Sequence, residues 1–337
     1  MVAAFYVTRL AVGLALALGI QEPVREPLPA VVSAKVAAHS PLTVKPCQHA
    51  NVILEVEVDR PILVGTWQRL VHAMSQLIRV NGVEYRNRLS SESSTLNSGA
   101  WFILREPRPL RGPETGEMYR RRQVLIEFSL NSEERACLFR EKGHYDIEIM
   151  PGDRVVNVEV IVEEPTPAER EVVEAISDLH VLLFLVKPMD RQYSTPETLA
   201  LIERLARQDT SYKKWLSLSL GLGLQHARNF ESGDEDFEEK SRARAEQVNS
   251  WLSPYCTGEI SSRLEATATY WRGMHLGWLA RVTEDKSKAA AYLAQRDDLW
   301  RKLADSPYGF DEGAMAKEAL GHIEAEAKAK AEAANQP

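Results

Sequence analysis

The chain reads as a two-domain protein, β first and α second: an antiparallel β-sandwich followed by an all-α domain of helical hairpins. Three observations predict this. In 143–149 and 155–162 apolar side chains fall at every second position, the pattern of half-buried antiparallel strands. From Ala168 to Ile176 the apolar spacing changes to that of a helix face, and the change coincides with Pro165 and Pro167. Between the strand-like runs lie turn signals, the strongest being Asn81-Gly82 flanked by Val80 and Val83.

The 337 residues are enough for two ordinary domains, and a 44% hydrophobic content supplies two cores. Lys and Arg total 41 against 48 Asp and Glu, a net charge of -7, which disfavours a general role on nucleic acid because that affinity comes from neutralised phosphates. Arg9, an apolar run over 10–18 and the small-residue end Ala17-Leu18-Gly19 predict a secretory signal peptide over 1–19, with an uncleaved anchor as the alternative. No transmembrane span is expected in the mature chain, since the run is well short of the ~20 residues a bilayer needs. Pro23, Pro27 and Pro29 mark an extended leader over 20–29. Export permits a disulfide between Cys47 and Cys137 with Cys256 left over; the alternative is three small buried hydrophobes.

Strands are predicted at 42–45, 52–58, 77–85, 101–105, 122–130, 144–149 and 154–162, within a domain spanning 30–164. About seven short strands with intervening turns suggest a sandwich of immunoglobulin type. Leu138-Phe139-Arg140-Glu141-Lys142-Gly143-His144-Tyr145-Asp146-Ile147 resembles the penultimate-strand entry of bacterial secreted immunoglobulin-like domains. That resemblance implies that Tyr145 packs at a corner of the sandwich. Arg105, Arg108, Arg111, Arg120, Arg121 and Arg122, stiffened by Pro107, Pro109 and Pro113, form a basic segment read as a loop. It is either a solvated connection covering a sheet edge or a contact for an acidic partner, glycan or lipid head group. An amphipathic insertion at 67–74 is assigned to packing on the sheet.

Helices are predicted at 169–186, 196–208, 213–229, 237–251, 259–281, 286–304 and 313–334, forming a domain over 168–323 with an Ala/Glu/Lys tail at 324–337. The stretch 179–186 is apolar all round and should be buried, with His180 a core histidine. Leu220-Gly221-Leu222-Gly223-Leu224 reads as close helix packing, not as a nucleotide loop. Three breaks ending in Tyr212, Tyr255 and Tyr308 form a weak internal repeat. The last, Leu299-Trp300-Arg301-Lys302-Leu303-Ala304-Asp305-Ser306-Pro307-Tyr308, resembles the tetratricopeptide-like units of bacterial envelope proteins and implies degenerate helical hairpins.

Candidate sites are few. Tyr270, Trp271, Met274, His275 and Trp278 recur at helical spacing, so Trp271, His275 and Trp278 are candidate partner contacts, with ordinary core packing as the alternative. Arg108, Arg111 and Arg121 are the candidates in the β half. No zincin, nucleophile-elbow, phosphate-loop or dinucleotide motif occurs, and no cofactor or metal is expected. A Cys256–His275 pair finds no support in the spacing. The acidic turn from Gly233 to Glu239 does not fit a cation loop. These readings predict a non-enzymatic exported protein that recognises or assembles with a protein partner at the cell envelope. The alternatives are an envelope hydrolase with an interdomain site, or glycan binding by the sandwich.

Overall fold

The computed structural model describes residues 28–39, 42–48, 50–63, 77–86, 118–128, 130–131, 136–226, 237–257, 260–306 and 310–334. Strands come first and helices follow, as the sequence predicts. The signal peptide, the insertion at 67–74, the strand at 101–105, Arg108 and Arg111 lie outside the described residues.

Ten strands form three sheets among the described residues. β1 (Val31–His39), β3 (Ala50–Leu63) and β6 (Met118–Phe128) make one antiparallel sheet in the order β1-β3-β6. A second sheet has the order β2-β10-β9-β4-β5, built from β2 (Thr43–Val44), β4 (Leu77–Val80), β5 (Val83–Arg86), β9 (Gly143–Ile149) and β10 (Val156–Val162). Its pairings are antiparallel except β2 with β10, which run parallel. A short ribbon joins β7 (Leu130–Asn131) to β8 (Ala136–Cys137).

Alternation places Ala50, Val52, Leu54, Val56 and Val58 of β3 on one face, where they share a core with Ile147, Ile149, Val158, Val160 and Val162 of the second sheet. The Asn81-Gly82 turn forms as expected, with φ of 51° and 77°, values that asparagine and glycine tolerate. The Asn81 side chain also accepts from the Asp146 amide at 2.8 Å, which pins the hairpin to β9. β1 is a strand the sequence reading did not include. The basic segment also needs correction at its end: the strand predicted from Arg122 starts earlier, so Arg120 and Arg121 belong to β6 with Arg122 rather than to a loop, and Arg121 lies opposite Glu57 in the ladder.

Eight helices follow among the described residues: α1 (Pro167–Ile176), α2 (Leu179–Val186), α3 (Pro196–Ala206), α4 (Lys213–His226), α5 (Phe237–Leu252), α6 (Arg263–Val282), α7 (Lys286–Asp305) and α8 (Phe310–Ala334). The single helix predicted over 169–186 is two. Asp178 interrupts it, because its carboxylate accepts from the His180 and Val181 amides and starts a new helix there. Each helix from α3 to α7 packs on its successor, and α2, α4, α6 and α8 also form a row in which each touches the next.

α4 is the centre of this array. Residues 216–224 are buried throughout. Its glycines permit close approach: a Cβ on Gly221 would stand 2.4 Å from Leu252, and one on Gly223 2.5 Å from the Phe184 ring. The apolar segment α2 is buried from Val181 to Leu185 as predicted, whereas His180 is half-buried, its ring edge-on to Tyr193 at 5.6 Å.

Candidate functional site

The two halves meet at the turn Lys45-Pro46-Cys47-Gln48, between β2 and β3. Pro46 suits the second position of a β-turn and Cys47, at φ 64°, occupies the third; the Gln48 amide closes the turn on the Lys45 carbonyl at 3.1 Å. Cys47 and Cys137 form a disulfide, so the predicted pair is the pair that forms. Both cysteines are buried and belong to the helical core, the cluster that also contains Val172, Phe184 and Leu216.

Polar contacts complete the joint. The Tyr212 hydroxyl donates to the Pro46 carbonyl at 2.6 Å, and Gln48 Nε2 donates to the Ser211 carbonyl at 3.3 Å. Lys45 Nζ donates to the Glu164 carbonyl at 2.9 Å, tying the same turn to the connection into α1. Glu169 accepts from the Thr166 amide (2.8 Å) and the Ser211 amide (3.2 Å). Burial pushes the Glu169 carboxyl up, but these hydrogen bonds outweigh it and hold the group at about 2, below its usual 4.5. Burial, with the nearby Glu169 charge, pushes the Tyr212 phenol well above its usual range, so it stays a neutral donor.

Beside this joint lies a cleft of about 190 Å³ lined by Thr43 and Asn51 of the β half and by Lys214, Trp215, Ser261 and Glu265 of the helical half. Sequence reasoning did not single out these residues, because they come from four separate segments; the one local signal is the Ser-x-x-Glu spacing of Ser262 and Glu265, which marks a helix start. Their chemistry is directed inward. Glu265 is almost fully buried and accepts from Lys214 Nζ (2.7 Å), the Ser261 amide (3.0 Å) and the Ser261 hydroxyl (2.9 Å). Ser262 caps the same helix through the Glu265 amide at 3.2 Å. This cluster fixes the start of α6 against α4, and the Ser261 hydroxyl is engaged with a carboxylate that an ammonium already neutralises.

The aromatic residues of α6 are partly absorbed by packing. Trp271, His275 and Trp278 are all half-buried on one flank, with Met274 at 40% exposure beside them. Trp271 packs against the main helical core. Tyr270 meets the Trp271 ring edge-on at 5.7 Å and stacks on Trp300 with ring centroids 6.1 Å apart. Arg272 turns inward, donating to Asn249 Oδ1 (3.0 Å) and the Cys256 carbonyl (2.7 Å). Trp271, His275 and Trp278 therefore stay together, while Arg121 lies in the other half of the molecule.

Burial pushes the Cys256 thiol up to about 11 despite the opposing influence of Thr269 and Arg272, which keeps it protonated and unreactive. Among the described residues no group of three or more His, Cys, Asp or Glu side chains is placed to hold a metal ion, and no helix is long and apolar enough to cross a membrane. Compared with known protein families, with characterised proteins and with solved structures, the chain matches none.

Proposed function

We propose that the chain is an exported, non-enzymatic protein of the cell envelope that recognises or assembles with a protein partner, using an immunoglobulin-like sandwich to carry a tetratricopeptide-like helical array. The sandwich reading is supported by strand order. Taking β1, β3 and β6 as strands A, B and E, and β4, β5, β9 and β10 as C, C′, F and G, gives the orders A-B-E and G-F-C-C′, consistent with part of each sheet of that fold; strand D has no counterpart among the described residues. Tyr145, near the start of β9, donates to the Glu141 carbonyl at 2.9 Å and meets Phe139 edge-on at 5.3 Å, the arrangement of a tyrosine corner. Two residues on, where antibody domains have a cysteine, this chain has the buried Ile147; its disulfide instead links the approaches to β3 and β9. The row α2-α4-α6-α8, backed by α3, α5 and α7, supports a degenerate helical repeat.

One observation carries the partner-binding reading: the flank of α6 bearing Trp271, Met274, His275 and Trp278 keeps solvent access on a helix whose opposite face is largely buried. Half-exposed aromatic anchors on a rigid element are the residues that dominate interface energetics. The disulfide is compatible with export. A photo-crosslinking amino acid at Met274 of the intact chain, in its native cells, is expected to yield a discrete envelope adduct. Trp278→Ala should weaken that adduct at least about tenfold, as expected for an anchor worth about 1.4 kcal/mol or more. An absent adduct, or one indifferent to Trp278, sinks the reading.

The seam cleft favours a second reading, a small polar ligand or hydrolytic substrate held between the halves. A ligand panel that raises the melting temperature of the wild type but not of Lys214→Met would support it. A panel without effect would remove it.

A further inference from the structure

We propose that the Cys47–Cys137 disulfide is a redox latch on the joint: its formation seats the helical half on the β half, and its reduction unseats the two without unfolding either. The geometry supplies the coupling. Both sulfurs lie in the helical core although both cysteines belong to the β half, so the bond is part of the surface on which the helices rest. Cys47 is held at φ 64°, a left-handed conformation that is unfavourable for a non-glycine residue. Besides the disulfide, that turn is held by the Cys47 amide on the Phe139 carbonyl (2.7 Å), the Gln48 amide on the Lys45 carbonyl, the Lys45 amide on Gln48 Oε1 (2.9 Å), Tyr212 on Pro46, and Gln48 on Ser211. The last two cross between the halves. Cutting the covalent contact frees the turn to leave the left-handed region. The Pro46 carbonyl then swings away from Tyr212, whose buried hydroxyl loses its acceptor.

The chemistry is thiol–disulfide exchange with a small or protein disulfide as oxidant. One cysteine thiolate attacks the incoming disulfide and forms a mixed disulfide; the second cysteine displaces the remaining thiol. The Cys47–Cys137 bond forms, the oxidant's bond breaks, and two electrons and two protons end on the released thiols. By linkage, whatever weakens the seat must make the bond easier to reduce by the same factor. The cellular setting of this latch rests on the export reading, but its test does not.

The test uses the full purified chain in glutathione buffers of graded ratio, with oxidation read by alkylation and mass spectrometry and seating read by hydrogen exchange. Reduction is expected to raise exchange at least tenfold in peptides covering 45–48 and 207–216, while β9 and α6 keep their protection. Tyr212→Phe, which leaves both cysteines in place, is expected to shift the equilibrium with glutathione about fivefold toward the dithiol, as the loss of one buried hydrogen bond predicts. The proposal is overturned if 207–216 exchanges equally in both redox states, if all protection is lost together on reduction, or if Tyr212→Phe leaves the glutathione equilibrium unchanged. Failure in vitro removes the latch and leaves export untouched; cytosolic residence of the chain would remove the export reading and leave the latch standing.

Discussion

Glu169 shows how one side chain serves several purposes at once. It closes the capping box of α1 with Thr166, and it receives the Ser211 amide from the turn that carries Tyr212. Its carboxyl sits near 2 when folded and near 4.5 otherwise, so the unfolded chain binds the proton more tightly. The stabilisation is therefore fully present above about pH 4.5 and is lost as pH falls toward 2, amounting to about 3 kcal/mol. Urea titrations should show that slope in the wild type and a flatter one in Glu169→Gln. Gly223 acts by what it lacks. Gly223→Ala would drive a methyl into the Phe184 ring, and calorimetry should register a loss of about 1–3 kcal/mol.

Individual elements were readable where local chemistry and burial agreed. The Asn81-Gly82 hairpin, β9, β10 and most helix limits follow from turn residues and periodicity that the tertiary structure leaves in force. β1 escaped because Val32 and Val36 are exposed while Val31 is buried, so its apolar residues do not alternate; its pairing with β3 also shifts register twice. α4 illustrates the opposite case. Leucines at 216, 218, 220, 222 and 224 repeat with the period of a strand, yet they form a helix surrounded by α2, α3, α5 and α6 that needs no polar face. The break at Asp178 hinges on a single cap, and Asp178→Ala should lower stability by about 1 kcal/mol in chemical denaturation. The seam cluster was missed because only packing brings Lys214 to Ser261 and Glu265, which meet each other locally at the helix start; the aromatic flank of α6 was visible because helical spacing alone assembles it.

At the scale of the molecule, the boundary near Pro165 and Pro167 marks a change of secondary structure without marking a gap between cores. Cysteines from the β half enter the helical core, and the 90-residue separation of the pair means that the bond restrains much of the unfolded chain. Thiol counting checks this arrangement directly. A reagent that labels exposed thiols should find none in the native oxidised chain, one after denaturation without reductant, and three after reduction; two or more in the second state would refute the pairing.

α8 has a mechanical consequence. Its packing against α6 and α7 runs through Ala316, Ala319, Leu320 and Ile323, after which every described side chain is exposed. The remaining residues to Ala334 project about 16 Å from that last contact at 1.5 Å per residue. The helix is thus a cantilever with its fulcrum at Ile323. A tug at its C-terminal end is delivered as torque to Ala316 and Trp300, on the side of the bundle away from the disulfide, so pulling there should peel α8 before it strains the joint.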